Sequence, residues 1–239
     1  MWTESPTVRT EQFITLNSDY LGSLATSFSE YRDILGGLDK CRDILRRRLQ
    51  RAWPRIFAWG EESSVHSLLD ALLESSSPVY HTILMCPSCH QTTRHPIPHT
   101  NCFQGGMDNP SSIQNYIDGR HSQASSRCHN CDVYEVRKCS FNSFPPILAF
   151  DINQQQNLHV DRHLFASYAN NHCTYHLRGI IYYAARHFTS RWITLDGAVW
   201  FHDGTTTGSF LTHEGSLDSI TDLMSSQSGV ATAVIYGRA

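Results

Sequence analysis

Residues 175–204 read YHLRGIIYYAARHFTSRWITLDGAVWFHDG, and this stretch decides how the second half of the chain folds. Tyr175, Leu177, Ile180, Ile181, Tyr182 and Tyr183 form one β-branched and aromatic run, and Phe188, Trp192, Ile193 and Leu195 form another. Such side chains fit a pleated, half-buried surface, so each run predicts a strand. Asp196-Gly197 is a turn dipeptide and predicts a hairpin into a third short strand, Ala198-Val199-Trp200-Phe201. His187 opens the second strand and Asp203 closes the third. Pairing of these strands would bring the two side chains together, and a histidine beside a carboxylate is the base and orienter of a nucleophilic triad. The competing reading is a core histidine with an exposed turn aspartate. Within the stretch itself there is no cysteine.

Working outward, residues 230–236 predict a last strand, and residues 144–152 predict one entered through Pro145-Pro146, which suits a strand start. Period-two patterns also predict strands at 80–85, 91–97 and 134–139. Residues 98–112 are turn-rich, a short helix follows at 112–117, residues 119–127 read as a polar bridge, and 154–157 as a loop tip. The first third is helical in pattern. One or two short helices are expected within 12–30, and Gly36-Gly37 breaks the chain. A helix capped by Asp39 then carries Cys41, Ile44, Leu45 and Leu49 at three-and-four spacing until Pro54. A further helix over 64–73 is capped by Ser63 or Ser64, carries the stripe Val65, Leu68, Leu69, Leu72, Leu73, and stops at Ser75-Ser76-Ser77-Pro78.

With 239 residues, the chain can bury one sizeable core, or a core plus a small lobe. A net charge of −3 gives no argument for a nucleic-acid or membrane-surface partner. Arg42, Arg46, Arg47, Arg48 and Arg51 on one helix are read as a solvated face, against the alternative of a nucleic-acid-binding helix. No apolar run approaches the ~20 residues that span a bilayer. The N-terminus lacks a basic segment followed by an apolar one, so cytosol or nucleus is the expected compartment.

Eight cysteines in such a compartment read as metal ligands or free thiols. Cys86-x2-Cys89 and Cys128-x2-Cys131 are two matched pairs, each beside a predicted strand. Each such turn puts two sulfurs on one side of a tight loop, and two turns complete a tetrahedral four-thiolate zinc site, structural because it is closed. The alternative is four reduced cysteines in unrelated turns. His90 and His129 are read as bystanders.

In this order the pieces resemble the ubiquitin-specific protease family of papain-like cysteine peptidases, over roughly residues 60–238. The helix at 64–73 stands where the family has a thumb helix. Cys86/Cys89 and Cys128/Cys131 match its zinc fingers, and residues 111–119 look like its short finger helix. Phe144-Pro145-Pro146-Ile147-Leu148 resembles a palm strand, and residues 175–181 resemble the strand before the catalytic histidine. His187-Phe188-Thr189 matches the His-aromatic-Thr box, and residues 234–238 resemble the terminal strand. The resemblance implies an α+β papain-like fold: a partial helical thumb (1–78), zinc-binding β fingers (79–140) and an antiparallel β palm (141–239). It implies His187 as general base, Asp203 as its orienting residue, structural Zn2+, and ubiquitin or a ubiquitin-like protein such as SUMO as partner. The family's reaction is thiol-dependent hydrolysis of isopeptide bonds to such modifiers.

Several departures mark this chain. Ala184-Ala185-Arg186 replaces the glycine pair that usually precedes the histidine, Gly204 follows Asp203 where a second Asp or Asn is common, and Trp200 comes one residue early. The Asn- and Gly-rich loop ending in Cys-aromatic is missing. Cys41 has no Asn or Gln shortly before it and falls on an apolar stripe, so it is read as core; Cys102, Cys139 and Cys173 have no such box either. The resemblance therefore implies the downstream part of a peptidase, or a non-catalytic pseudo-peptidase that binds ubiquitin or SUMO. The first is the expectation, with no turnover by the chain as it stands.

Overall fold

The computed structural model describes residues 5–15, 19–31, 37–74, 79–95, 100–104, 111–118, 123–152, 158–168, 170–208, 210–226 and 229–239. Its helices are α1 (Pro6–Val8), α2 (Asp19–Tyr31), α3 (Gly37–Ala52), α4 (Val65–Leu72) and α5 (Ile113–Asp118), with a π-helical segment Arg9–Thr15 after α1. The first strands are β1 (Tyr80–Met85), β2 (Thr92–His95), β3 (Cys102–Gln104), β4 (Gln123–Arg127), β5 (Tyr134–Phe141) and β6 (Ile147–Asp151). The rest are β7 (His163–Tyr168), β8 (Asn171–Ala184), β9 (His187–Ile193), β10 (Ala198–His202), β11 (Thr212–Ser216), β12 (Ser225–Ser226) and β13 (Gly229–Arg238). This is a mixed α+β architecture. Among the described residues no helix is long and apolar enough to cross a membrane.

Two sheets organise these strands. The small one runs β2-β1-β5-β4, and the large one runs β11-β10-β9-β8-β13-β6-β3, with β7 added to β8 and β12 to β13. The opening stretch becomes three consecutive antiparallel strands of the large sheet. Gly179 faces Trp192 and Ala184 faces His187 across β8 and β9, and Trp192 faces Trp200 across β9 and β10. Gly197, at φ +84, makes the β9–β10 turn, a backbone region that L side chains rarely adopt. Because β8 is long, it takes β7 along its first half and β9 along its second, with β13 on its other side.

Where β6 and β13 run, the large sheet is buried on both faces, and its side chains sort by period two. On one face Leu148 and Phe150 of β6 join Val234 and Tyr236 of β13 in a core with Tyr80, Phe103, Phe141 and α5. Phe103 stacks between Tyr80 and Phe150, with ring centroids 4.0 and 4.9 Å away. On the other face Ile147, Ala149 and Ala233 pack against Val8, Phe13, Leu21, Ala25, Leu69 and Leu73. The apolar stripe read at 64–73 is therefore what seats α4 on the sheet. Its cap is Ser64, whose Oγ accepts from the Ser67 N–H at 3.0 Å.

Several expectations shift. Asp39 lies inside the first turn of α3, which starts at Gly37, so it meets the positive helix end from within rather than capping it. Cys41 is 2% exposed. The five arginines of α3 are exposed, and Arg42 pairs with Asp39 and Asp43 on its own helix. The polar bridge at 119–127 contains β4, which lacks hydrophobic alternation because it is an edge strand. Strands β3, β7 and β11 were not expected from the sequence; β3 is three residues long and its partner β6 lies far along the chain. The helix stop at Ser75-Ser76-Ser77-Pro78, residues 105–110 of the turn-rich stretch and the tip at 154–157 lie outside the described residues.

Candidate functional site

His187 and Asp203 meet at the end of the β9–β10 hairpin. The two strands run antiparallel in register His202↔Ser190, so the residue after β10 returns beside the start of β9. His187 Nε2 stands 2.7 Å from Asp203 Oδ1, with the histidine side chain 38% exposed and the aspartate 9% exposed. The hydrogen bond from His187 holds the Asp203 carboxyl down at about 2, against its burial, and the backbone N–H groups of Thr205 and Thr206 add to this. Those N–H groups reach Oδ1 at 2.9 and 3.3 Å. The loop closes on itself as the Thr207 hydroxyl donates to the Asp203 carbonyl at 2.8 Å. The Thr205 hydroxyl lies 3.3 Å from His187 Nδ1.

This geometry assigns a tautomer. With Nε2–H donated to a carboxylate that stays ionised, Nδ1 carries the lone pair and is the nitrogen able to accept a proton. Immediately before His187, Ala185 and Arg186 take φ +48 and +64. They form the two-residue turn between Ala184 and His187, a conformation that glycine and asparagine adopt far more readily.

The four knuckle cysteines come together from two copies of one backbone motif. In the first, Cys86 N–H donates to the Gln91 carbonyl and His90 N–H to the Cys86 carbonyl, both at 2.9 Å. In the second, Cys128 N–H donates to Val133 and Asp132 N–H to Cys128, again both at 2.9 Å. His90 and Asp132, each directly after the second cysteine of its pair, take φ +58 and +53. Register between β1 and β5 faces the two turns toward each other. Cys86 Sγ lies 3.2 Å from Cys131 Sγ and Cys89 Sγ 3.5 Å from Cys128 Sγ, and all four sulfurs fall within 4.8 Å of one another.

The donor set fits zinc: four thiols from two matched turns, with no carboxylate among them. The Cys89 N–H lowers the Cys86 thiol to about 6, while Cys86 beside it drives Cys131 up to about 12. Four thiolates at this spacing need a cation between them.

Of the other described thiols, Cys173 and Cys102 lie far from His187 within the large sheet. Cys173 is on β8, eleven residues before Ala184, which faces His187; that is roughly 36 Å along a strand. Cys102 faces Ala149, Ala149 faces Ile235, Ile235 faces Gly179, and Gly179 faces Trp192. Cys102 is thus four strands, roughly 19 Å, from β9. It is 2% exposed, and burial pushes its thiol far up, with Asp70 and Asp151 adding to the effect. Reactive cysteines have the opposite surroundings. The Cys139 side chain lies outside the described set.

No family model and no curated protein matches the chain. Among solved structures it is similar to the SAGA DUB module Ubp8/Sgf11/Sus1/Sgf73 bound to monoubiquitin, at 12% identity and TM-score 0.44 over 90% of this chain and 52% of that one. It is also similar to the Ubp8-Sgf11-Sgf73-Sus1 SAGA DUB module, at 12% identity and TM-score 0.47 over 92% and 57%. The same module bound to ubiquitin aldehyde matches at 12% identity and TM-score 0.43 over 98% and 58%. The chain thus spans little more than half the length of these chains.

Proposed function

We propose that this chain is a ubiquitin-specific-protease-like domain that binds ubiquitin or a ubiquitin-like protein and, as it stands, does not cleave it. The observation that carries the reading is the 2.7 Å contact of His187 Nε2 with Asp203 Oδ1, in a hairpin that follows two matched cysteine knuckles. The order of motifs read from the sequence supports it. In this reading Asp203 orients the imidazole and stabilises its protonated form, and His187 Nδ1 is the base that would take a proton from a thiol. Cys102 and Cys173 stand too far along the sheet to give one. Cys86, Cys89, Cys128 and Cys131 would hold zinc, which would brace the finger lobe and leave no position open for chemistry. A ubiquitin tail would lie between the fingers (79–140) and the palm (141–239), with the partial thumb (1–78) behind.

Calorimetric titration of the chain with ubiquitin, and separately with SUMO, tests the reading alongside ubiquitin and SUMO vinyl-sulfone probes. The expected result is micromolar binding of ubiquitin that survives His187→Ala, with no cysteine labelled. Absence of binding to every ubiquitin-like protein sinks the proposal. A probe adduct mapped to any cysteine overturns the non-catalytic half of it.

A further inference from the structure

A second cluster of ligand-type side chains stands where α4 meets the large sheet, sharing no residue with either site described above. His66 and Asp70 are four residues apart on α4 and therefore share one face of it. Cys102 comes from β3 and Asp151 from the end of β6, strands that pair in parallel with Cys102 opposite Ala149. His66 Nδ1 lies 3.7 Å from Cys102 Sγ, and His66 Nε2 lies 3.3 Å from Asp70 Oδ2. One ligand atom from each of His66, Asp70 and Cys102 falls within 4.8 Å of the other two. Asp151 Oδ2 stands 3.7 Å from His66 Nδ1. The second oxygen of Asp70, Oδ1, is buried with no hydrogen-bond partner among the described residues.

We propose that Cys102, His66 and Asp70 form a second metal site, for a zinc-class divalent ion held by one thiolate, one imidazole and one carboxylate. The 3.3 Å between His66 Nε2 and Asp70 Oδ2 matches one edge of such a polyhedron, and one ligand atom of each residue lies within 4.8 Å of the other two, so a small movement of the side chains would close the set around an ion. Zinc bonds of ~2.3 Å to sulfur and ~2.0–2.2 Å to nitrogen or oxygen set tetrahedral edges of about 3.3–3.7 Å between ligand atoms.

The chemistry of the donors points the same way. A thiolate with an imidazole selects zinc and the later transition metals over magnesium or calcium, which take oxygen ligands only. Asp70 and Asp151 stand on opposite ring nitrogens of His66, so with the ion on Nε2 beside Asp70, Nδ1–H would keep Asp151 as the carboxylate that orients the ring.

Such an ion would tie α4 to the edge of the sheet, across the interface where Leu69 and Leu73 pack with Ala149. The inference is independent of the proposed function and of the four-cysteine site.

Metal content of the full chain tests it. The protein is stripped with chelator, reloaded with Zn2+, desalted and analysed by mass spectrometry of the metal. Two zinc ions per chain are expected in the wild type, one in Cys102→Ser and in His66→Ala, and one in Cys86→Ser/Cys128→Ser. Because a variant can fail to fold, 113Cd NMR of the unmodified chain is the second measurement. Two resonances are expected, one in the far-downfield range of four thiolates and one well upfield from a single thiolate with nitrogen and oxygen donors. A single four-thiolate resonance, with one zinc per chain unchanged by Cys102→Ser, overturns the proposal. An upfield resonance alone would uphold it and reject the four-cysteine site instead.

Discussion

Removing metal from the paired knuckles should unfold them while leaving the large sheet standing. The small sheet has little core at that end: Leu84, Cys86 and Cys128 are buried, whereas Met85, Val133 and Tyr134 are exposed. The two knuckles span residues 86–91 and 128–133, twelve residues held by four backbone hydrogen bonds of their own. Ordering twelve residues costs ~18 kcal/mol at ~1.5 kcal/mol each. Four hydrogen bonds at about 1 kcal/mol each return ~4 kcal/mol. The shortfall of ~14 kcal/mol lies within the ~10–16 kcal/mol that a structural zinc site supplies. On this reckoning a bound metal would decide whether these turns persist.

The assay is hydrogen exchange followed by mass spectrometry or NMR, before and after chelation, with residual zinc measured. Amides of Cys86, His90, Cys128 and Asp132, each hydrogen-bonded within its knuckle, should lose protection by several orders of magnitude. Amides in the β8–β13 ladder, such as Ile180 and Val234, should keep theirs. Knuckle amides that stay protected in metal-free protein would refute the reasoning, because the turns would then be stable on their own.

Three further outcomes are expected. Arg191 is 8% exposed, bonds Glu214 at 2.7 Å through Nε, and donates through Nη1 to Tyr182 Oη and to the Asp222 and Ser225 carbonyls. Arg191→Met strands those groups and should cost about 3–5 kcal/mol in urea unfolding, with part regained when Glu214→Leu is added. Replacing Ala185 and Arg186 by Asn and Gly relieves two positive-φ residues and should stabilise the fold by about 1–2 kcal/mol in the same assay. The folded Asp203 carboxyl sits at about 2, below its ordinary value of 3.8. The stability it contributes is complete above pH ~4 and lost as pH falls through about 2. The gap between wild type and Asp203→Asn should therefore be constant at neutral pH and close progressively below pH ~4.

Local pattern carried much of this protein. Strands β8, β9, β10 and β13 follow from β-branched and aromatic runs, and the β9–β10 turn from Asp196-Gly197, because their signals lie in adjacent residues. The clustering of the two knuckles was legible for the same reason: each CxxC turn is local, and each stands beside a strand of its own. Even the contact of His187 with Asp203 could be read, since the two are joined by one hairpin whose register follows from its turn.

What the sequence could not show is anything that depends on distant segments meeting. Cys102 looked isolated because its neighbours in space, His66 on α4 and Asp151 on β6, are separated from it by a strand pair and a helix seat that no local pattern encodes. The same holds for β3, three residues whose only reason to be a strand is the parallel edge of β6. The strain at Ala185 and Arg186 was likewise invisible, as positive φ is imposed by closing β8 onto β9 rather than chosen by the residues. Pattern along the chain determined the elements and the chemistry of neighbouring residues; long-range sheet pairing and helix packing alone decided which thiols stand near which histidine.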